Sequence, residues 1–231
     1  LAKEEIAWSY IRMGQPQNTL AVTKSLVPKE FSHMVGPETI FLRSLANLKV
    51  CNYIGVQNDI VMFRDRFKAR TRDLISLIAK QDTESVQHVI SQLKEKRIRL
   101  KDLSNHAKNL PFHISRDERL HRLAQIQKQL EKEASIANEL YLKSMNQGTA
   151  KVGFMAAMEY LKNDIAKRAQ FAQSTSKQRI KRLAEIELND IQRILKKMHI
   201  VEAELLQQIS VSREVASIRK DSPTKLGRTG A

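Results

Sequence analysis

The chain has 231 residues, of which 42% are hydrophobic, and this is enough to bury a core. It contains only seven glycines and five prolines, which excludes a turn-rich all-β fold and predicts an all-α one. A formal net charge of +15 would suit a polyanion partner, but the excess is spread over the chain: +4 in residues 1–70, +3 in 71–110, +2 in 111–152 and +6 in 153–231.

Residues 1–70 contain one pattern twice, at a separation of 37 residues. The alignment pairs Gly14 with Cys51 and Pro16 with Tyr53. Each copy has an apolar-periodic helix, a short turn and a second helix, so we expect two helix hairpins, with Gly14 allowing both the turn and a close approach. The predicted packing residues are Trp8, Ile11, Gly14, Leu42, Leu45, Leu48, Cys51 and Tyr53.

These hairpins resemble the tetratricopeptide repeat, which carries Trp, Leu-Gly and Tyr at set positions of its first helix and turn. Trp8, Met13 and Gly14 match the Trp and Leu-Gly positions of the first copy, and Tyr53 matches the turn Tyr of the second. Cys51 and Pro16 depart from the family pattern, and the separation exceeds the family's usual 34 residues. The resemblance implies a groove that binds a peptide or a helix, and it implies no catalytic residue.

Cys51 is the single cysteine of the chain, so it cannot form an internal disulfide. No second cysteine accompanies it in a pattern that binds structural zinc. Because free cysteine usually packs as a small apolar side chain, we expect Cys51 to be buried.

Residues 71–218 are predicted to form a long-helix bundle or a coiled-coil arm. Asp82 is a candidate N-cap for a helix with an apolar stripe from Val86 to Leu93 that continues to Leu103. A basic run follows, which we interpret chiefly as a solvated helix face and alternatively as an anion-binding patch. Its basic residues are Lys94, Lys96, Arg97, Arg99 and Lys101.

A second long helix is predicted over residues 116–146, where Ser115 and Glu118 form a capping box. The Gly148 and Gly153 region is expected to turn the chain, so that 116–146 pairs antiparallel with the start of 154–218. Residues 83–109 would add a third helix to this bundle. Two heptad-spaced rows are predicted in the helix over residues 116–146. They are Leu123, Leu130 and Ala137, and Gln127, Ala134 and Tyr141.

Residues 154–218 lack proline and glycine and predict one helix, with a break or kink most expected at Gln173–Gln178. Its second half should pack on the repeats, pair with another copy through residues 184–218, or dock on a different protein. Residues 219–231 read as a polar tail. Two seven-residue rows mark the second half: Leu188, Leu195, Glu202 and Ile209, and Ala184, Ile191, Met198, Leu205 and Ser212.

The order of hairpins followed by long helices is similar to that of a group of bacterial envelope tetratricopeptide proteins. The residues that match this group include Phe41, Leu42 and the stretch from Ile191 to Leu206. Some members of that group are associated with gliding motility. The resemblance implies an exported assembly protein in the periplasm or at the envelope, with the cytoplasm as the alternative compartment.

No pattern in the sequence predicts an enzyme, a cofactor or a metal site. Ser174 and Lys177 have a Ser-x-x-Lys spacing without its partner motifs, and His106, His113 and His121 lack ligand spacing. The sequence therefore predicts a non-catalytic scaffold that binds a protein partner. The alternative is a basic coiled-coil protein that binds nucleic acid or makes peripheral contact with an anionic membrane; nucleic acid is the less favoured because aromatic residues make up only 5% of the chain.

Overall fold

The computed structural model describes residues 2–26, 35–80, 83–95, 109–146 and 152–221. Within these ranges every regular element is helical, which confirms the predicted all-α class. The helices are α1 (Ala2–Arg12), α2 (Pro16–Lys24), α3 (Pro37–Lys49), α4 (Tyr53–Ala79), α5 (Glu84–Glu95), α6 (Glu118–Asn146) and α7 (Val152–Asp221). A 3-10 turn at Ile114–Arg116 precedes α6.

The chain divides into two compact units, and α4 and α7 contribute residues to both. The first unit comprises residues 1–68 and 190–231, and the second comprises 69–189. The sequence grouped residues 71–218 together, whereas in the structure the residues from 190 onward belong with the hairpins. Helix α7 extends to Asp221, into the predicted tail, and residues 222–231 lie outside the described ranges.

The helices of the first unit form two hairpins, α1–α2 and α3–α4. Pro16 and Pro37 occupy the first turns of α2 and α3, where the missing N–H leaves no helical bond unmade. The two turns have the same hydrogen bonds: Gln15 N–H donates to Tyr10 O at 2.8 Å, and Asn52 N–H donates to Asn47 O at 2.9 Å. Both turns close α1 and α3 as Schellman motifs, displaced along the chain by the 37 residues of the sequence alignment.

Each Schellman motif has a left-handed residue at the same place, Gly14 with φ 70° and Cys51 with φ 58°. Gly14 adopts the left-handed conformation that this turn requires, as predicted. The predicted close approach at Gly14 is wrong, because a Cβ at this position would meet nothing within 4 Å.

The caps of α5 and α6 differ from those predicted. Thr83 caps α5 through its carbonyl and hydroxyl, and Asp82 lies outside the described residues. Asp117, not Ser115, caps α6, because its carboxylate accepts the N–H of Leu120 at 2.7 Å. Ser115 lies in the preceding 3-10 turn, so the predicted capping box does not form.

Helix α5 buries the predicted stripe, Val86, Val89, Ile90 and Leu93, and packs against α6. The stripe's predicted continuation to Leu103 lies outside the described residues. Helices α6 and α7 pair through a small core at Ala137, Met158 and Ile165, in which Leu130, Ala134 and Tyr141 are half-buried. Asp117 bonds to Arg179 while Asn138 bonds to Lys162, so the two helices run antiparallel, as predicted.

Helix α7 is uninterrupted at residues 173–178, so the break expected there is wrong. The hydroxyls in this stretch bond to the carbonyls one turn earlier: Ser174 and Thr175 to Phe171, and Ser176 to Ala172. Such bonds satisfy the polar side chains within the helix. Gly153 is likewise a residue of α7, and Gly148 lies outside the described residues.

One of the two predicted rows of α7 is buried through Leu205, namely Ala184, Ile191, Met198 and Leu205; its last member, Ser212, is exposed. The second predicted row is displaced by one residue from the row that is buried. The buried row is Ile180, Glu187, Ile194 and Val201, whereas Leu188, Leu195, Glu202 and Ile209 are half-buried. The observed row contains the buried Glu187.

Candidate interaction surfaces

The hairpins of the first unit hold an aromatic pair. The Trp8 and Phe41 rings lie 6.0 Å apart, and the Trp8 indole N–H donates to Glu38 at 3.0 Å. The ammonium group of Lys197 from α7 lies 5.4 Å from the centre of the Trp8 ring and 5.2 Å from that of Phe41. These are cation–π distances, so α7 packs on the hairpin face that carries both rings.

A second contact joins α7 to α4 in the same unit. The guanidinium of Arg64 donates to both carboxylate oxygens of Glu202, at 2.8 and 2.6 Å. Of the three expectations for the second half of α7, packing on the hairpins is therefore the one observed. Self-association through residues 184–218 stays a prediction, and it would have to use the outward side chains of Ile200 and Leu206 rather than the buried row.

The predicted packing residues divide into buried, half-buried and exposed groups. Ile11, Leu42 and Leu48 are buried. Trp8, Leu45 and Tyr53 are half-buried, and Gly14 is exposed. Cys51 is also exposed, so its predicted burial is wrong: at this place in the turn the side chain points to solvent. The neighbouring thiol of Cys51 raises the pKa of Tyr53 above its ordinary value.

A polar chain ties α3 to α4. The buried Asp59 carboxylate accepts hydrogen bonds from Arg43 and, at 2.9 Å, from the Asn47 amide. Asn47 in turn accepts from Asn52 at 3.0 Å, and Asn52 accepts the N–H of Gly55 at 3.1 Å. Burial raises the pKa of Asp59, and the bonds from Arg43 and Asn47 only partly oppose that effect.

A buried ion pair organises the second unit. Arg70 and Glu187 have side chains 8% and 4% exposed and form a bidentate pair at 2.6 and 2.9 Å. Arg70 also donates to Leu110 O at 2.7 Å and lies 4.3 Å from the Phe112 ring centre, while Glu187 accepts the N–H of Phe112 at 2.8 Å. Every one of these groups therefore has a partner when removed from water.

Sequence reasoning missed this pair because the row that it predicted contains Leu188 and not Glu187. The signal was present: Glu187 stands where the heptad spacing of Ile180, Ile194 and Val201 demands an apolar side chain. A glutamate at such a position predicts a buried cation opposite it.

Only Lys94 of the predicted basic patch lies within the described residues; Lys96, Arg97, Arg99 and Lys101 lie outside them. Lys94 forms an ion pair with Glu131 of α6, and Lys128 pairs with Glu95 at 3.3 Å. At this position the basic residue therefore joins two helices of the bundle.

Ser174 and Lys177, which have the Ser-x-x-Lys spacing, both have structural partners. The Ser174 hydroxyl donates to its own helix, and Lys177 also has a partner. Of the three histidines, His106 lies outside the described residues. Within the described residues, no group of three His, Cys, Asp or Glu side chains is placed to hold a metal ion. In the same part of the chain, no helix is long and apolar enough to span a bilayer.

Among the described residues, nine exposed large apolar side chains lie on what we call the arm, residues 129–146 of α6 with 152–171 of α7. Four of these nine are Ile136 at 57%, Leu140 at 49%, Leu161 at 44% and Phe171 at 72% exposed; the other five are Leu142, Met145, Val152, Phe154 and Tyr160. We call these four residues the arm face. Exposed apolar side chains concentrated on one element are typical of an interaction site.

Comparison with family models, curated proteins and solved structures finds no match to this chain. The functional interpretation therefore depends on the geometry of the hairpins and the arm.

Proposed function

We propose that this chain is a non-catalytic interaction scaffold or assembly protein whose arm docks on another protein molecule. The observation that carries the proposal is the arm face, where apolar side chains of α6 and α7 remain in water after the two helices have paired. A helix pair that still exposes apolar side chains gains stability by burying them against a further layer. The arm thus supplies a binding surface built on rigid helices.

The hairpins have a different part in the proposal. A tetratricopeptide-like groove would bind a peptide or helix, and the aromatic pair Trp8 and Phe41 is in contact with Lys197 of α7. We infer that the helix held by this module is the chain's own. External binding then falls to the arm.

The resemblance to envelope tetratricopeptide proteins is what supports a periplasmic or envelope location, and it makes the proposed role one of assembly. A fractionation of the source cells that recovers the protein with the envelope would agree with this location. Recovery in the cytosol alone would contradict it.

The functional proposal is tested by a matched pair of variants. Leu140→Glu places a charge in the arm face, whereas Leu142→Glu places the same charge two residues away at nearly equal exposure, 51% against 49%. Partners captured by the full chain and quantified by mass spectrometry should be lost with Leu140→Glu and kept with Leu142→Glu. Equal recovery by both variants, or binding that only follows ionic strength, would contradict the proposal and favour the polyanion alternative.

A further inference from the structure

We propose that the arm face binds a second copy of this chain, forming a symmetric four-helix contact. This inference rests on the proposed function and names its partner. It follows from three features of the arm: the side on which the four arm-face residues lie, the local charge, and the number of helices.

The four arm-face residues lie on one side of the helix pair. The opposite side is marked by Asn138 and Lys162, which bond to each other at 2.9 Å. On α6, Ile136 and Leu140 are each about 200° around the helix axis from Asn138. On α7, Leu161 and Phe171 are about 100° and 180° from Lys162. In an antiparallel pair these positions fall on the same side.

On the side of Asn138, α5 contacts α6 through Lys94, which pairs with Glu131, about 20° around the helix axis from Asn138. Glu131, Asn138 and Leu142 continue that side along α6 at intervals of seven and four residues. Leu142 is therefore separated from the arm face although it is only two residues from Leu140.

The arm differs in charge from the rest of the chain. Its two helical stretches contain five acidic and five basic residues and are electrically neutral, whereas the whole chain carries +15. Glu139 pairs with Lys143 at 2.6 Å and Asp164 with Arg168 at 2.8 Å. A polyanion or an anionic bilayer would gain nothing from a neutral surface, while two copies would approach at the arm with the least like-charge repulsion.

The number of helices completes the argument. Two antiparallel helices with an apolar row on one side form half of a four-helix bundle. A second copy supplies the same two helices, and a two-fold axis lets each arm face meet its equivalent. The same four side chains are then buried in both copies.

The test is the molar mass of the full chain in solution, measured by light scattering or sedimentation over a wide concentration range. Wild type should shift from 26.5 kDa toward twice that mass as its concentration rises. Leu140→Glu should stay at the monomer mass, because it would place two like charges in the contact, and Leu142→Glu should dimerise as wild type does. Both positions are half exposed, so both variants should keep the wild-type circular dichroism spectrum and unfolding midpoint.

A wild type that remains monomeric, or a dimer that tolerates Leu140→Glu, would overturn the inference. So would equal loss of the dimer in both variants. A monomeric wild type that still loses a captured protein on Leu140→Glu would overturn the self-association and leave the proposed function standing. If wild type is monomeric and Leu140→Glu also loses no captured protein, both the self-association and the proposed function are contradicted.

Discussion

Individual residues decide how tightly the helices of each unit fit together, and two helical glycines show this most directly. A Cβ on Gly55 would lie 2.5 Å from the side-chain nitrogen Nδ2 of Asn52 and 2.8 Å from Cγ of Asn47. A Cβ on Gly153 would meet nothing within 4 Å. The first glycine leaves room for the polar chain between α3 and α4, and the second has no such role.

Gly55→Ala should therefore lower the free energy of unfolding by about 1–3 kcal/mol, despite alanine's higher helix propensity. Gly153→Ala should raise it by up to about 1 kcal/mol, because only the propensity term remains. Urea unfolding of the two variants measures the difference. Stabilisation by Gly55→Ala would show that the close approach of Asn47 and Asn52 does not constrain this position.

The buried pair of Arg70 and Glu187 makes a second residue-scale prediction. Arg70→Met or Glu187→Leu alone should cost about 3–5 kcal/mol, because each leaves a buried charge without its partner. The double variant should cost much less than the sum of the two, since no unpaired charge remains. Additive losses in this double-mutant cycle would mean that the two groups are not coupled.

Asp117 gives the chain a pH dependence. Burial opposes its ionisation, but the bonds from Arg179 and from the N–H of Leu120 outweigh that effect and lower its pKa below the ordinary 3.8. A carboxyl whose pKa is lowered in the folded state stabilises the fold above the unfolded pKa. This stabilisation is lost as the pH falls through the folded pKa.

Asp117→Asn keeps a side chain that can cap α6 but removes the charge facing Arg179. The variant should be about 1–3 kcal/mol less stable than wild type at neutral pH, the usual range for hydrogen bonds to a charged group. The difference should shrink as the pH falls below about 4, where wild type also loses the charge. Urea unfolding at several pH values measures it, and a pH-independent difference would contradict the account.

At the scale of elements, the two Schellman turns share their hydrogen bonds but differ in their left-handed residue. Cys51→Gly should stabilise the protein by about 1 kcal/mol, because glycine adopts a positive φ without strain. Gly14→Ala should destabilise it by a similar amount. Cys51→Ala is the matched control, since it removes the thiol and keeps the strain. If Cys51→Ala were as stabilising as Cys51→Gly, the thiol rather than the backbone would be responsible.

Much of this element-level arrangement was predictable from the sequence. The alignment of Gly14 with Cys51 located both turns, because a helix reversal depends on local backbone chemistry. The cap of α6 was not located, since Ser115 and Asp117 are both of a residue type that caps helices and tertiary contacts decide between them. Asp117 is favoured by Arg179, which is 62 residues away in the chain.

At the scale of the whole molecule, the distribution of charge and exposed apolar area is the main functional signal. A count of charged residues shows that the chain is basic. The same count cannot show that the arm is neutral until the structure defines which residues form the arm. The arm face was also hidden from the sequence analysis. Leu140 and Leu142 look equivalent in sequence, and only the pairing of α6 with α7 distinguishes their two sides.

The central claim is that the arm face is the protein's external binding surface. The most direct measurement places a photo-crosslinking amino acid at position 140 or, as the matched control, at position 142 of the full chain in its source cells. The account predicts a protein adduct, with a second copy or another protein, from position 140 and little or none from position 142. No adduct from position 140, or equal adducts from both positions, would contradict it.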